Sequence, residues 1–250
     1  MKPFLIGLQF LTRFKIVRQE VWPDDQFGAS VAYFPLVGLV IGIFLALLYW
    51  LTASWIDSFL MAVLLVLAEM IITGGLHADG FMDTCDGYFS GRNRERMLEI
   101  MKDSRVGSEG IVGFVFLVLL KIGLYMNISG PLWPLLIIMP LISRWLMSWT
   151  IVRFPYARTQ GMGKAFADNA PAYTLQVATA CLLLAIPVGG LKSILPMLFA
   201  FGWMQWANIH FVKKLGGVTG DTYGAITETS EIVILLTWLL QERIGVWNLL

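Results

Sequence analysis

The sequence predicts an all-α, polytopic integral membrane protein with about seven transmembrane helices, an N-terminal amphipathic segment and functional loops on the cytoplasmic face. Three observations carry this. The 250-residue chain is 57% hydrophobic and only 14% charged, with mean hydropathy +0.71, whereas an average soluble domain is roughly a quarter charged. Seven stretches are apolar over close to the ~20 residues that cross a bilayer. The basic residues fall almost entirely in alternate connections. A chain this apolar cannot cover itself with polar surface in water. That argues against a cytosolic globule and a disordered regulator, and a net charge of +1 argues against a nucleic-acid partner.

Taken in order, the chain opens with Lys2 and an apolar stretch at residues 4–11. No small-residue cleavage site follows, and Arg13, Lys15 and Arg18 come next, so the segment reads as retained and interfacial. The spans are residues 31–51, 58–76, 111–128, 132–151, 173–189, 194–212 and 231–246. The seventh carries Glu242 and Arg243 near its end and either stops early or lies in the interface. Connections 52–57, 129–131 and 190–193 hold one base between them, Lys192. The other connections hold fourteen of the eighteen bases, among them Arg92, Arg94, Arg96, Lys102, Arg105, Arg153, Arg158, Lys164, Lys213 and Lys214. The positive-inside rule makes that face cytoplasmic. Trp50, Trp55, Trp133 and Trp247 fall near span ends as an aromatic belt would. Gly38 with Gly42, and Gly107, Gly110 and Gly113, read as close helix-packing positions. Cys85 and Cys181 are too few for a disulfide framework and read as free thiols. No repeat or linker divides the sequence, so residues 1–250 read as a single transmembrane domain.

The second span runs into GGLHADGFMDTCDG at residues 74–87. Asp79, Asp83 and Asp86 stand at i, i+4 and i+7, which places three carboxylates on one helical face. Like charges so placed repel unless a cation sits among them, and hard oxygen ligands suit Mg²⁺ or Mn²⁺. The bland alternative is a solvated acidic face, against which the interleaved glycines and apolar residues argue. His77 reads as a proton carrier, a phosphate hydrogen-bond donor or an interfacial structural histidine. The same connection continues with IMKDSRVG at residues 100–107, where Lys102 and Arg105 can meet phosphate oxygens and Asp103 can join the metal set. Arg92, Arg94 and Arg96 read as a patch touching anionic lipid heads. GGVTGDTYGA at residues 216–225 is a glycine-rich candidate phosphate cradle with Asp221 as a further ligand or base; it lacks a P-loop's GK[ST], as does the Gly161-Met162-Gly163-Lys164 run. Within the spans, Glu69, Lys121 and Arg144 are costly unless paired. Lys121 reads as a snorkelling base or a partner of Glu69, Arg144 as a guanidinium reaching a buried phosphate, and His210 as structural.

Those three runs, in this order and spacing, resemble the cobalamin synthase family, the adenosylcobinamide-GDP ribazoletransferases. The resemblance extends to FLTRF at 10–14, VAYFPLVGLVIG at 31–42, SRW at 143–145 and FPYAR at 154–158, and thins between residues 171 and 214. It implies an enzyme of the bacterial cytoplasmic (inner) membrane with its active site facing the cytoplasm. The implied reaction joins α-ribazole, or its 5′-phosphate, to adenosylcobinamide-GDP with release of GMP. The resemblance also implies Mg²⁺ dependence, association with membrane lipid, and a homo-oligomer or an assembly with other cobamide-building enzymes. Carried onto this sequence, the roles are metal binding for Asp79, Asp83, Asp86 and Asp103, catalysis for Asp83, His77, Arg105 and Lys102, and substrate binding for Arg144, Ser104, Gly220, Asp221 and Thr222. The proton acceptor is Asp83 or His77.

Two other readings stay open. A membrane CDP-alcohol phosphotransferase acting on a lipid donor shares the acidic spacing, but its Ala-Arg pair after the first acid-glycine and its further aspartate spacing do not match here. A transporter would hold its ionisable groups at the bilayer midplane, whereas most acids here sit on the basic face.

Overall fold

A computed structural model describes residues 2–16 and 23–245. Arg18, Val246 and Trp247 lie outside the described residues. In chain order the helices are α1 (Lys2–Leu11), α2 (Asp24–Ser30), α3 (Phe34–Thr52), α4 (Ser58–Thr73), α5 (Leu76–Phe89), α6 (Arg94–Ile100), α7 (Ser108–Asn127), α8 (Trp133–Arg153), α9 (Met162–Asn169), α10 (Thr174–Leu182), α11 (Ala185–Gly189), α12 (Ile194–Leu215) and α13 (Gly220–Ile244). Among the described residues no β-strand forms.

Five helical stretches are long and apolar enough to cross a membrane: Asp25–Thr52, Ser108–Asn127, Trp133–Arg153, Thr174–Leu215 and Gly220–Ile244. The chain is therefore a multi-pass membrane protein. The pair α4–α5 makes a sixth only if counted together, because it bends by 93°. Seven separate spans are thus not reproduced. The predicted fifth and sixth fall within the single stretch Thr174–Leu215, which breaks between α10 and α12 around Gly190 at φ +60°. The predicted seventh begins at Gly220 rather than 231, so Glu228 and Glu231 lie inside a helix.

Helix α8 is the axis of the bundle. Leu135, Leu136, Ile138, Met139, Leu141, Ile142 and Leu146 are all fully buried. Helix α3 reaches it closely through the predicted small residues: a Cβ on Gly38 would lie 2.1 Å from the Pro140 carbonyl oxygen, and one on Gly42 would lie 2.6 Å from Ile137 Cα. Helix α7 instead turns Val112, Val115, Phe116, Leu119 and Leu120 outward, as lipid contact requires. The exposed Trp50, Trp55 and Trp133 stand at helix ends.

Ionisable groups inside the apolar bundle are paired, since an isolated buried charge would cost several kcal/mol. Lys121 Nζ donates to Glu69 at 3.0 Å, Glu228 at 2.8 Å and Glu231 at 2.6 Å. This bears out the Lys121–Glu69 pairing and adds two acids from α13. His210 is structural, with Nδ1 2.7 Å from the Trp206 carbonyl oxygen.

The positioning of α5 matters most for function. Gly74 and Gly75 are both left-handed, at φ +67° and +74°. Two such residues in succession end α4 and swing α5 aside, a geometry only glycine takes without strain. Helix α5 then runs across the N-terminal ends of α7 and α13.

Candidate active site

At the basic end of the bundle, α5, α13, α9 and the 154–161 segment enclose a cavity of about 220 Å³. His77, Asp79, Tyr156, Arg158 and Asp221 form its polar wall. Phe10 and Leu11 from α1, Phe34 from α3, Met147 and Ile151 from α8 and Phe166 from α9 form its apolar wall.

Backbone contact sets this geometry. A Cβ on Gly80 would lie 2.9 Å from the Asp221 carbonyl oxygen, and one on Gly224 would lie 2.7 Å from that of His77. The two glycines let α5 and α13 touch, which brings the first acidic run against the GDTYG run. The 154–158 segment is zipped to the residues before α13: Val218 N–H donates to Pro155 at 2.8 Å and Ala157 N–H donates to Val218 at 2.8 Å. Thr219 caps α13 in a reciprocal pair, its Oγ1 accepting from Thr222 N–H at 3.2 Å while Thr222 Oγ1 accepts from Thr219 N–H at 2.7 Å. Thus the run expected to be a glycine-rich cradle is a capped helix start. Arg158, delivered by the zipped segment, donates to Asp221 Oδ2 at 2.6 Å.

The acids on this wall repel one another. Burial first, then the charges of Asp221, Asp79 and Asp86, push the carboxyl of Asp83 up to about 7, with Arg158 acting the other way. Burial and the neighbouring acids Asp86 and Glu109 push the Cys85 thiol up to about 12, so it is a poor nucleophile.

The structure divides the expected metal set. Asp86 is turned away from the cleft: it accepts from the N–H groups of Gly107 at 2.7 Å and Gly110 at 2.8 Å, capping α7 from outside. Helix starts leave N–H groups unpaired, and this carboxylate satisfies two of them. Asp103 is held by Arg105 at 2.6 Å, which with the Arg105 backbone N–H holds its carboxyl down to about 2. Among the described residues no group of three or more His, Cys, Asp or Glu side chains is arranged to hold a metal ion by itself. What the chemistry of the donor set does fit is a hard cation shared with a ligand: Mg²⁺ often takes one or two carboxylates and completes its shell from substrate phosphates and water. Asp79 lines the cleft with Asp221, and Asp83, one turn along α5 and not itself in the cleft lining, is near enough to feel both charges.

Other expected site residues also separate. Arg144 does not line the cleft: it is 1% exposed, and its guanidinium donates to Glu231 and to Ser143 Oγ, the latter at 2.9 Å. Its Nη2 stands 3.5 Å from His77 Nδ1, so it touches the site only from behind. The span position that suggested reach toward the surface instead faces the acids of α13. Lys102, Ser104 and Arg105 are exposed, and Arg105 with Asp103 borders a separate polar groove beside Asp86 and Glu99. Thr222 is buried in its cap, whereas Gly220 and Asp221 do line the cleft. Sequence reasoning gave no site role to Arg158, Tyr156 or Phe166. Their only local signals are an Arg two residues after a Tyr in FPYAR and an aromatic following the Gly161-Met162-Gly163-Lys164 run.

Residues 3–239 match the model of the family described as cobalamin-5-phosphate synthase. The chain belongs to this family. Its members of known name include the adenosylcobinamide-GDP ribazoletransferases of Clostridioides difficile (strain 630) and Desulfitobacterium hafniense (strain Y51). Each is 38% identical to this chain, over 94% of it and 96% of the relative. That of Clostridium novyi (strain NT) is 36% identical over 98% of this chain and 99% of its own. No solved structure matches. Membership in the cobalamin-5-phosphate synthase family makes the chain a transferase of cobalamin synthesis.

Proposed function

We propose that the chain is an adenosylcobinamide-GDP ribazoletransferase that uses Mg²⁺ and works on the cytoplasmic side of the bacterial inner membrane. The observation that carries this is the meeting of His77 and Asp79 with Asp221 and Arg158 on one cleft wall, in a chain of the cobalamin-5-phosphate synthase family. In the proposed reaction the 3′-hydroxyl oxygen of α-ribazole, or of its 5′-phosphate, attacks the cobinamide-linked phosphorus of adenosylcobinamide-GDP. The new P–O bond closes the nucleotide loop, the bond to the second phosphate breaks, and GMP leaves.

Phosphoryl transfer of this kind asks for alignment and charge neutralisation more than for covalent chemistry. Asp79 and Asp83, opposite Asp221, would hold Mg²⁺ together with diphosphate oxygens of the donor, and the ion would neutralise the charge that gathers on the departing GMP. Arg158 aligns Asp221 and adds positive charge to the same wall. A carboxylate such as Asp83, or the His77 ring, takes the hydroxyl proton. The fall of fourteen of the eighteen bases in alternate connections of the sequence supports the cytoplasmic orientation.

The test is an assay of detergent-solubilised protein with adenosylcobinamide-GDP and α-ribazole across a Mg²⁺ titration, with CDP-diacylglycerol as a parallel donor. Metal-dependent release of GMP with formation of the cobamide is expected. Product from the lipid donor alone would overturn the proposal.

A further inference from the structure

We infer that His77 is a fixed hydrogen-bond donor to a phosphoryl oxygen of adenosylcobinamide-GDP, held in that role by Arg144 from outside the cleft, and that it does not take the hydroxyl proton. The inference rests on the proposed ribazole transfer and deepens it. It leaves that proton to a carboxylate such as Asp83 and gives Arg144 a positioning role. Three observations lead to it.

The first is what Arg144 can do. Its Nη2 stands 3.5 Å from His77 Nδ1. A guanidinium donates, never accepts, and keeps its protons. The Nδ1 it faces therefore presents a lone pair, and the ring proton sits on Nε2. The second is that Arg144 cannot turn away. Its Nη1 donates to Glu231 and to Ser143 Oγ and lies 3.8 Å from Glu69. Acids on α4 and α13 thus fix the guanidinium, and the guanidinium fixes the imidazole on α5. A partner behind a metal-bound histidine sets its tautomer in the same way. The third is the other edge of the ring. His77 lines the cleft and is 2% exposed, yet its Nε2 is buried without a partner. The two ring nitrogens diverge, so Nδ1 toward Arg144 turns Nε2 away from it. A buried N–H without an acceptor is destabilising, and a ligand oxygen relieves it. The same wall holds Asp79 and Asp221, where the proposed cation would gather the diphosphate oxygens. Phosphoryl oxygens are thus the acceptors that the reaction brings there. An imidazole that donates through Nε2 and keeps Nδ1 against Arg144 has no free lone pair for the hydroxyl proton.

The experiment joins a spectrum to kinetics. The chain has two histidines, His77 and His210, so protein labelled with nitrogen-15 histidine gives two ring systems in two-bond proton–nitrogen correlation spectra. His210 is the internal contrast. Its Nδ1 is 2.7 Å from the Trp206 carbonyl oxygen, which only accepts, so that ring carries its proton on Nδ1. His77 should carry its proton on Nε2, and the signals lost in His77→Gln assign it. In kinetics, His77→Gln returns an N–H donor near the Nε2 position, whereas the shorter His77→Asn does not reach it, and neither side chain is a base. His77→Asn should lower kcat about a hundredfold and leave KM for adenosylcobinamide-GDP within about threefold, as loss of one donor aimed at a reacting centre does. His77→Gln should lose about tenfold or less. Arg144→Lys keeps a charge beside Glu231 but not the fork that reaches Glu231 and His77 together. It should mix the two His77 tautomers and lower kcat with KM unchanged. A proton on His77 Nδ1 in the wild type, equal losses in the two His77 variants, or an Arg144→Lys protein with wild-type spectrum and kcat would overturn the assignment. If Arg144→Lys fails to insert, the wild-type spectrum and the two His77 variants decide. If the wild-type protein does not turn over the substrate pair at all, the functional reading fails, whereas the spectrum still reports which nitrogen holds the proton.

Discussion

Arg158 and Asp221 form an ion pair at 2.6 Å, with side chains only 12% and 20% exposed, and it ties the FPYAR segment to the GDTYG helix. Thr219 Oγ1 donates to the same Asp221 oxygen at 3.3 Å, while Arg158 Nε is buried without a partner. Arg158→Gln should lower kcat/KM by about a hundredfold, the scale seen when one aligned donor is lost from a reacting site. Arg158→Lys should recover only part of this, because lysine keeps the charge and loses the planar fork. Steady-state kinetics of the two variants and of Asp221→Asn check the prediction. Wild-type turnover in Arg158→Gln would reduce the pair to a structural tie.

Asp83 gives a pH dependence. Its carboxyl titrates near 7 in the fold and near 4 in an unfolded chain. Between those values the folded protein binds more protons than the unfolded one. The stability linked to this group is therefore full in acid and is lost as pH rises through about 7. A cation at the site offsets that loss. The rise in Tm on adding Mg²⁺ should be larger at pH 8 than at pH 6, and Asp83→Asn should remove the difference. Equal shifts at both pH values in the wild type would count against Asp83 as a ligand.

Asp86 should behave differently from its helix-mate. Asp86→Ala removes two charge-assisted bonds from the start of α7 and should cost about 2 kcal/mol in thermal unfolding. The Mg²⁺ concentration for half-maximal activity should stay within about twofold of wild type. A large rise in that concentration would return Asp86 to the metal set.

The buried network predicts a folding defect. Lys121→Met removes the basic partner of Glu228 and leaves Glu69 and Glu231 with Arg144, and should cost about 3–5 kcal/mol, the scale for stranding a buried charge. Adding Glu69→Gln should restore part of that, because it removes one of the stranded acids. Thermal unfolding of the single and double variants in detergent tests this. Strict additivity would show that the groups do not act as a unit.

Hydropathy located most of the bundle because lipid imposes one rule on every helix that touches it. The predicted 111–128 and 132–151 lie within a few residues of α7 and α8. The same rule failed at α13: residues 220–230 hold three Thr, two Gly and two acids and read as a connection, yet most of them are buried and Lys121 pairs with their Glu228. It also failed at 58–89, where the spacing of Asp79, Asp83 and Asp86 was right but the direction of the helix was set by two left-handed glycines. The acidic run and the GDTYG run announce themselves by local composition, so Asp79 and Asp221 were legible. Arg158 and Phe166 were not, because their roles arise from contacts distant in sequence. Neither was the diversion of Asp86, which depends on unpaired N–H groups at a helix start more than twenty residues away.

Phe10 and Leu11 on α1 and Gly220–Gly224 on α13 share one cavity, so the cleft is closed by the first and last described helices of the chain. During synthesis the aromatic wall and the acidic helix are made early and then wait. Until α13 has entered the membrane there is no Asp221 to face Asp79, no partner for Arg158 and no floor under His77. A chain halted before α13 therefore holds the acidic motif without the helix that completes the cleft.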